Sequence, residues 1–240
     1  MRLTIHQPQF LPWLGYLDKI DQSDLFVVLD TVQFKKNEWQ NRNRIRTAQG
    51  WQWLTVPVLQ KFGQVMTEVR INDRVDWRSK HLRALAMHYA HAPLSAHYLQ
   101  GLREIYRQPW QQLTALNVAV IRWLLDAFGI KTPLQLASEM VPRAASQRKA
   151  DLPIDATDRL IEMCRALGAT TYLAGAGASD YMDVRRFTAS GIRLEIQEFR
   201  HPTYAQCYAP FLPGMAAIDL LMNCGEGALR SLREARKGIG

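Results

Sequence analysis

Cysteine is scarce in this chain and long apolar runs are missing. Its 240 residues hold three cysteines, Cys164, Cys207 and Cys224, too widely spaced for a zinc knuckle and too few for a disulfide framework. They read as free thiols. Cys164 lies in an amphipathic helix pattern and Cys224 in an apolar one, which leaves Cys207, in a polar-aromatic loop, as the candidate nucleophile. No run of about 18 apolar residues exists to span a bilayer. The opening Met1-Arg2-Leu3-Thr4-Ile5-His6 lacks the apolar stretch and small-residue cleavage site of a secretory signal, so a cytoplasmic location is expected. Also missing are internal repeats, extended low-complexity tracts, the dinucleotide glycine fingerprint and the phosphate loop ending in Gly-Lys-Ser/Thr. No metal site is indicated either: His88 and His91 stand three apart in a helix pattern without an acidic partner, and no Ser-His-Asp triad is recognisable from the spacings.

Positive charge is what the chain has in excess. A net charge of +8 attracts anions. Much of that excess is spread over helix patterns (Arg78, Lys80, Arg83, Arg103, Arg107) and the C-terminal stretch (Arg230, Arg233, Arg236, Lys237), and no segment repeats a basic-aromatic motif of the RNA-binding kind. An anionic small molecule, such as a nucleotide or nucleotide sugar, is therefore the expected partner, and nucleic acid the less favoured one. With 48% of positions hydrophobic the chain can bury a core of its own.

Leu3-Thr4-Ile5 and Leu25 to Leu29 are short apolar runs consistent with buried parallel strands, joined by about two helical turns over Leu14 to Asp21. This βαβ pattern presents the loop after its first strand to a ligand. From about 39 to 72 the pattern is that of a hairpin-rich extension, with strands over Gln52 to Leu59 and Val65 to Ile71. From about 77 to 128 it is helical, punctuated by Pro93 and Pro109. Arg143 to Pro153 is polar and rich in small residues. The βαβ period then returns: helix Thr157 to Leu167, strand Thr171 to Ala174, a glycine loop, a helix up to Ser190, strand Leu194 to Phe199. We expect a single α/β domain over 1–240, with a mainly parallel sheet flanked by helices and the strands near 134, 171 and 194 joining the first two.

Several residues stand where chemistry is expected. His6 and Gln7 follow the first strand in a loop stiffened by Pro8 and Pro12, so the imidazole is a candidate catalytic or charge-stabilising group. Its structural alternative is to tie down the loop. Gly15-Tyr16 opens the first helix, where exposed amides bind phosphate, although Gly15 serves close packing equally well. Asp30 ends the second strand and suits a ribose hydroxyl, a metal or a turn cap. Lys35, Asn41, Arg42, Asn43 and Arg44 concentrate cations and amides that suit phosphate or carboxylate; a charge-protected edge strand is the plain alternative. Gly175 and Gly177, with Tyr181, form a loop between strand and helix in which amides approach an anion. His201 offers a second imidazole after the last strand.

Together these residues resemble the WbqC-like protein family, usually encoded among bacterial polysaccharide and nucleotide-sugar genes. The resemblance runs from His6-Gln7-Pro8-x-x-Leu11-Pro12-Trp13-x-Gly15-Tyr16 through Val32-Gln33-Phe34, Asn41-Arg42-Asn43-Arg44-Ile45 and Gly129-Ile130-Lys131-Thr132. It continues in Tyr172-Leu173-x-Gly175-x-Gly177-x-x-x-Tyr181, His201-Pro202-x-Tyr204 and Ile218-Asp219-Leu220-Leu221-x-Asn223-Cys224-Gly225. Gln9-Phe10 replaces a frequent Asn-Tyr of the family, and Thr31 a second aspartate. The opening βαβ unit is also similar to the nucleotidyltransferase-like superfamily, with Gly15-Tyr16 where a Gly-His pair is typical. The resemblance implies a transferase or ATP-dependent ligase that acylates or aminoacylates an amino sugar carried on a nucleotide, with ATP and magnesium as cofactors only on the ligase route. The alternative is a non-catalytic nucleotide-sugar-binding or scaffold protein of the same pathway.

Overall fold

The computed structural model describes residues 1–140, 155–180 and 182–237. The polar segment from Arg143 to Pro153 and the candidate Tyr181 thus lie outside the described residues. In chain order the elements begin with β1 (Arg2–His6), α1 (Leu14–Asp21), β2 (Leu25–Val28), β3 (Arg42–Thr47), β4 (Gly50–Thr55), β5 (Val58–Leu59) and β6 (Arg70–Ile71). Helices α2 (Trp77–His88), α3 (Ser95–Arg107) and α4 (Leu113–Phe128) come next, then β7 (Leu134–Leu136), α5 (Ala137–Met140) and α6 (Ala156–Ala166). The chain continues with β8 (Thr171–Ala174), α7 (Val184–Ala189), β9 (Arg193–Ile196), α8 (Ile218–Cys224) and α9 (Ala228–Lys237).

Two compact units emerge: residues 1–7, 19–29 and 132–199 form the first, and 8–18, 30–131 and 200–240 the second. The first holds an all-parallel five-stranded sheet in the order β7-β2-β1-β8-β9, the α/β architecture expected of its short apolar runs. Parallel strands covered on both faces need apolar residues throughout, and Leu3, Ile5, Val27 and Ala174 are accordingly buried with Leu160, Ile161 and Cys164 of α6 and Phe187 of α7. Phe187 stacks on Tyr172 at 5.5 Å. The chain runs from β1 outward to β2 and β7, then returns to the other side of β1 for β8 and β9. The order therefore reverses between β1 and β8, the position in such sheets where a crevice opens beyond the carboxyl ends of the strands. Pairing differs on the two sides of β1. Its ladder with β2 runs through His6 opposite Val28, whereas pairing with β8 stops at Leu3 opposite Tyr172, after which the Thr4 hydroxyl donates to the Leu173 carbonyl at 2.8 Å.

The second unit combines the β3–β4 hairpin, the short β5–β6 pair and a helical core. α3 packs against α2, α4 and α8, burying Leu85, Leu102, Leu116, Val120, Ile121 and Leu220. α4 stops at Gly129, whose φ of 75° is the left-handed cap that glycine supplies at least cost. Two expected elements differ. The strand foreseen over Val65 to Ile71 is a single 3-10 turn, Met66–Glu68, followed by a two-residue strand. The helix foreseen between the glycine loop and Ser190 is split into a 3-10 turn, Ala176–Asp180, and the short α7, because the Asp183 carboxylate accepts from the Arg185 amide at 2.9 Å and starts the helix there.

Candidate functional site

At the carboxyl end of β1, His6 Nδ1 lies 3.0 Å from the Gln7 carbonyl. A carbonyl only accepts, so Nδ1 carries the hydrogen and Nε2 is the acceptor of the neutral ring. Burial, reinforced by the Lys19 charge and opposed by the Gln7 carbonyl, pushes the imidazole pKa down to about 3. The ring is a neutral base here, where sequence reasoning allowed for an imidazolium donating from both nitrogens. Lys19 of α1 is 3% exposed. Its Nζ lies 3.9 Å from the position a side-chain carbon would take on Gly175, directly after β8. Burial lowers its pKa to about 7. Ala176 and Gly177, next in the chain, are exposed.

In the second unit, Arg42 and Arg44 share one face of the hairpin because strand side chains alternate. Register sets Trp53 opposite Arg44 and Trp51 opposite Arg46. The Arg42 guanidinium carbon stands 4.1 Å from the Trp53 ring centroid. That of Arg44 stands 5.4 Å from Trp39 and 5.2 Å from Trp51, within cation–π range. Arg44 also donates from Nη2 to the Gly214 carbonyl at 3.3 Å. Both Nε atoms are buried without a hydrogen-bond partner, while Trp51 is 44% exposed. The neighbouring amides do different work: Asn41 Nδ2 donates to the Val56 carbonyl, and Asn43 Nδ2 donates to the carbonyls of Phe10 and Leu11 at 3.3 and 2.7 Å. They hold the hairpin to its surroundings. Lys35 is exposed, its backbone amide bound to Gln40 Oε1.

A buried carboxylate network also lies in this unit. Asp219 of α8 accepts from the Tyr89 and Tyr204 hydroxyls at 2.7 and 2.6 Å and from Gln206 Nε2 at 2.9 Å. Burial raises its pKa although all three donors oppose the shift. The Tyr89 oxygen in turn accepts from the Arg46 amide, and the Arg46 guanidinium donates to the carbonyls of Thr47, Gly50, Tyr208 and Pro210. His201 stands at the rim, 6.3 Å from the Tyr204 ring centre and 5.6 Å from that of Phe211. Burial, ahead of the opposing Pro202 carbonyl, lowers its pKa. The Cys207 thiol is raised by burial and then by Asp219, and Sγ points at Asn223 Oδ1, 3.4 Å away. Both shifts work against a reactive thiolate.

The sequence profile of the WbqC-like protein family matches residues 7–231. The chain belongs to that family. It is 35% identical over 240 residues to the protein named Uncharacterized protein Rv1507c of Mycobacterium tuberculosis (strain ATCC 25618 / H37Rv), covering 98% of this chain and 99% of the relative. No solved structure matches significantly.

In this WbqC-like protein the motif residues divide between the units. His6, Gln7, Gly175 and Gly177 fall in the first; Gly15, Tyr16, Asp30, Lys35, Asn41, Arg42, Asn43, Arg44 and His201 fall in the second. A side chain on Gly15 would meet the Trp13 ring at 2.3 Å, so glycine there lets the indole lie against the helix. Tyr16 is buried, and its pKa is raised well above the ordinary phenol range by that burial, against the Gln9 backbone contact. Asp30 is buried at 1% exposure. Among the described residues no group of three or more His, Cys, Asp or Glu is placed to hold a metal ion, and no helix is long and apolar enough to cross a membrane. Sequence reasoning passed over Lys19 and Asp219. Asp219 could have been found from the motif that carries it, an acid embedded in the apolar run Ile218 to Met222. Lys19 gave no such signal.

Proposed function

We propose that this protein binds a nucleotide-linked amino sugar and acylates or aminoacylates its amine, as a transferase or ATP-dependent ligase of bacterial surface polysaccharide biosynthesis. The observation that carries the reading is the pair Arg42 and Arg44 set among Trp39, Trp51 and Trp53 on the β3–β4 hairpin. Guanidinium groups match a diphosphate in bidentate fashion, and indole faces accept a base or a sugar ring by stacking. The acylation half of the reading comes from the gene context that the family resemblance implies. On the ligase route, ATP with magnesium supplies the activation; an acyl thioester donor dispenses with both.

Calorimetry against a panel of uridine, thymidine and guanosine diphosphate sugars tests the binding half. Arg42→Ala or Arg44→Ala should weaken the best ligand at least about tenfold, or 1.4 kcal/mol; unchanged affinity in both variants would overturn the assignment. Mass spectrometry of the amino-sugar nucleotide incubated with acyl thioesters, or with ATP and amino acids, tests the transfer half. Tight binding without a mass increase from any donor would instead establish the non-catalytic binding protein.

A further inference from the structure

The first unit holds a buried cation that its fold does not explain. Lys19 is 3% exposed, sits on the helix that follows β1, and directs its ammonium to the carboxyl end of β8 beside Gly175. Salt bridges elsewhere in the unit, such as Arg2 to Glu195 and Arg186 to Asp158, are on partly exposed side chains. None reaches Lys19. A buried ammonium without a counter-charge costs several kcal/mol in general, and among the described residues no carboxylate is paired with Lys19, so a bound anion would lower that cost. Its position narrows the choice. The strand order reverses between β1 and β8, their ladder ends at Leu3 and Tyr172, and His6 ends β1 while side-chain-free Gly175 directly follows β8.

We propose that Lys19 is the anchoring cation of an oxyanion site at the carboxyl ends of β1 and β8, taking a phosphate group of a phosphorylated ligand. Three ammonium donors suit phosphate oxygens as a point charge. The absence of a side chain at Gly175 keeps the approach open from the exposed Ala176–Gly177 stretch. His6 is kept uncharged by burial and by the neighbouring amine, so it adds no second cation to the site. This site lies wholly within the first unit and does not rest on the nucleotide-sugar reading of the hairpin.

Pyrophosphate is the probe. In the full-length wild-type protein, peptide mapping after brief treatment with an amine-acylating reagent should show Lys19 modified, and saturating pyrophosphate should suppress that modification several-fold while exposed lysines such as Lys36 and Lys61 are unaffected. By calorimetry at fixed ionic strength, Lys19→Met should lower pyrophosphate affinity at least about tenfold. Lys19 labelling that ignores pyrophosphate would overturn the proposal, whether or not the variant folds. So would wild-type affinity in a Lys19→Met protein that melts normally. Because the readout is taken at Lys19 itself, it separates from the hairpin assignment, which is decided by Arg42 and Arg44.

Discussion

The two units treat buried charge in opposite ways. In the second, Asp219 is enclosed with three side-chain donors, and Arg46, 1% exposed, spreads its guanidinium over backbone carbonyls. Asp18, fully buried, is met by Arg236. In the first, Lys19 is buried and no carboxylate among the described residues is paired with it. Satisfied networks fix a packing arrangement, and removing one member leaves the others unpaired. An unsatisfied charge costs stability for as long as it stays empty-handed. Structural and functional uses of a buried ionisable group are thus distinguishable by the sign of the stability change on neutralising it.

The largest expected effect is a break in the paired network. Asp219→Ala should destabilise the protein by about 3–5 kcal/mol in urea unfolding, since three donors lose their acceptor in a buried place; a loss below about 1 kcal/mol would show that solvent replaces the carboxylate. Next comes the opposite sign. Lys19→Met should raise stability at neutral pH by about 1–3 kcal/mol, because a linear apolar chain replaces an unpaired ammonium. The pH dependence sharpens this. The folded-state pKa of Lys19 is about 7 against 10.5 when unfolded, so between these values the unfolded chain binds the proton that the folded protein does not, and wild-type stability rises with pH by up to about 1.4 kcal/mol per unit. The penalty is full below pH 7 and gone above 10.5. The advantage of the methionine variant should therefore shrink steadily across that window, and a constant difference would count against a depressed amine.

Smaller changes follow at the hairpin. Arg42→Ala removes one half-buried cation–π contact with Trp53 and should cost only about 0.5–1 kcal/mol, with a change in tryptophan emission as the direct check. Smallest of all is the response of Cys164 to alkylation. Burial pushes its pKa up to about 12, so the folded protein should leave this thiol unmodified, and labelling should appear only with unfolding. Rapid native labelling would mean that α6 opens locally.

Where the fold was legible, the reason is that burial on two faces writes itself as a short unbroken apolar run. Leu3-Thr4-Ile5, Leu25 to Val28 and Thr171 to Ala174 are such runs and became the centre of the sheet. The helices from Trp77 to Phe128 were equally readable from their spacing. Val65 to Ile71 misled because its alternation is produced by a turn, in which Val69 bonds back to Met66. Among the candidate residues, Arg42 and Arg44 were visible as a cluster, but their indole neighbours arrive through strand register with β4, which composition does not encode. Lys19 was invisible for a simpler reason. In Leu-Gly-Tyr-Leu-Asp-Lys-Ile-Asp the charged residues look like the wet side of a short amphipathic helix, and only the tertiary burial of Lys19 reveals otherwise.

One further consequence lies in the loop after β1. Leu11 has a φ of 43° and is wholly buried, a backbone region that costs a branched aliphatic residue roughly 1–2 kcal/mol, held open by the Asn43 amide on the carbonyls of residues 10 and 11. Burial of the leucine, about 2 kcal/mol, outweighs that local penalty only while β3 is in place. The bend is therefore dictated from a distance of some thirty positions along the chain, and a synthetic fragment spanning residues 5–16 would relax to an extended coil, prolines notwithstanding.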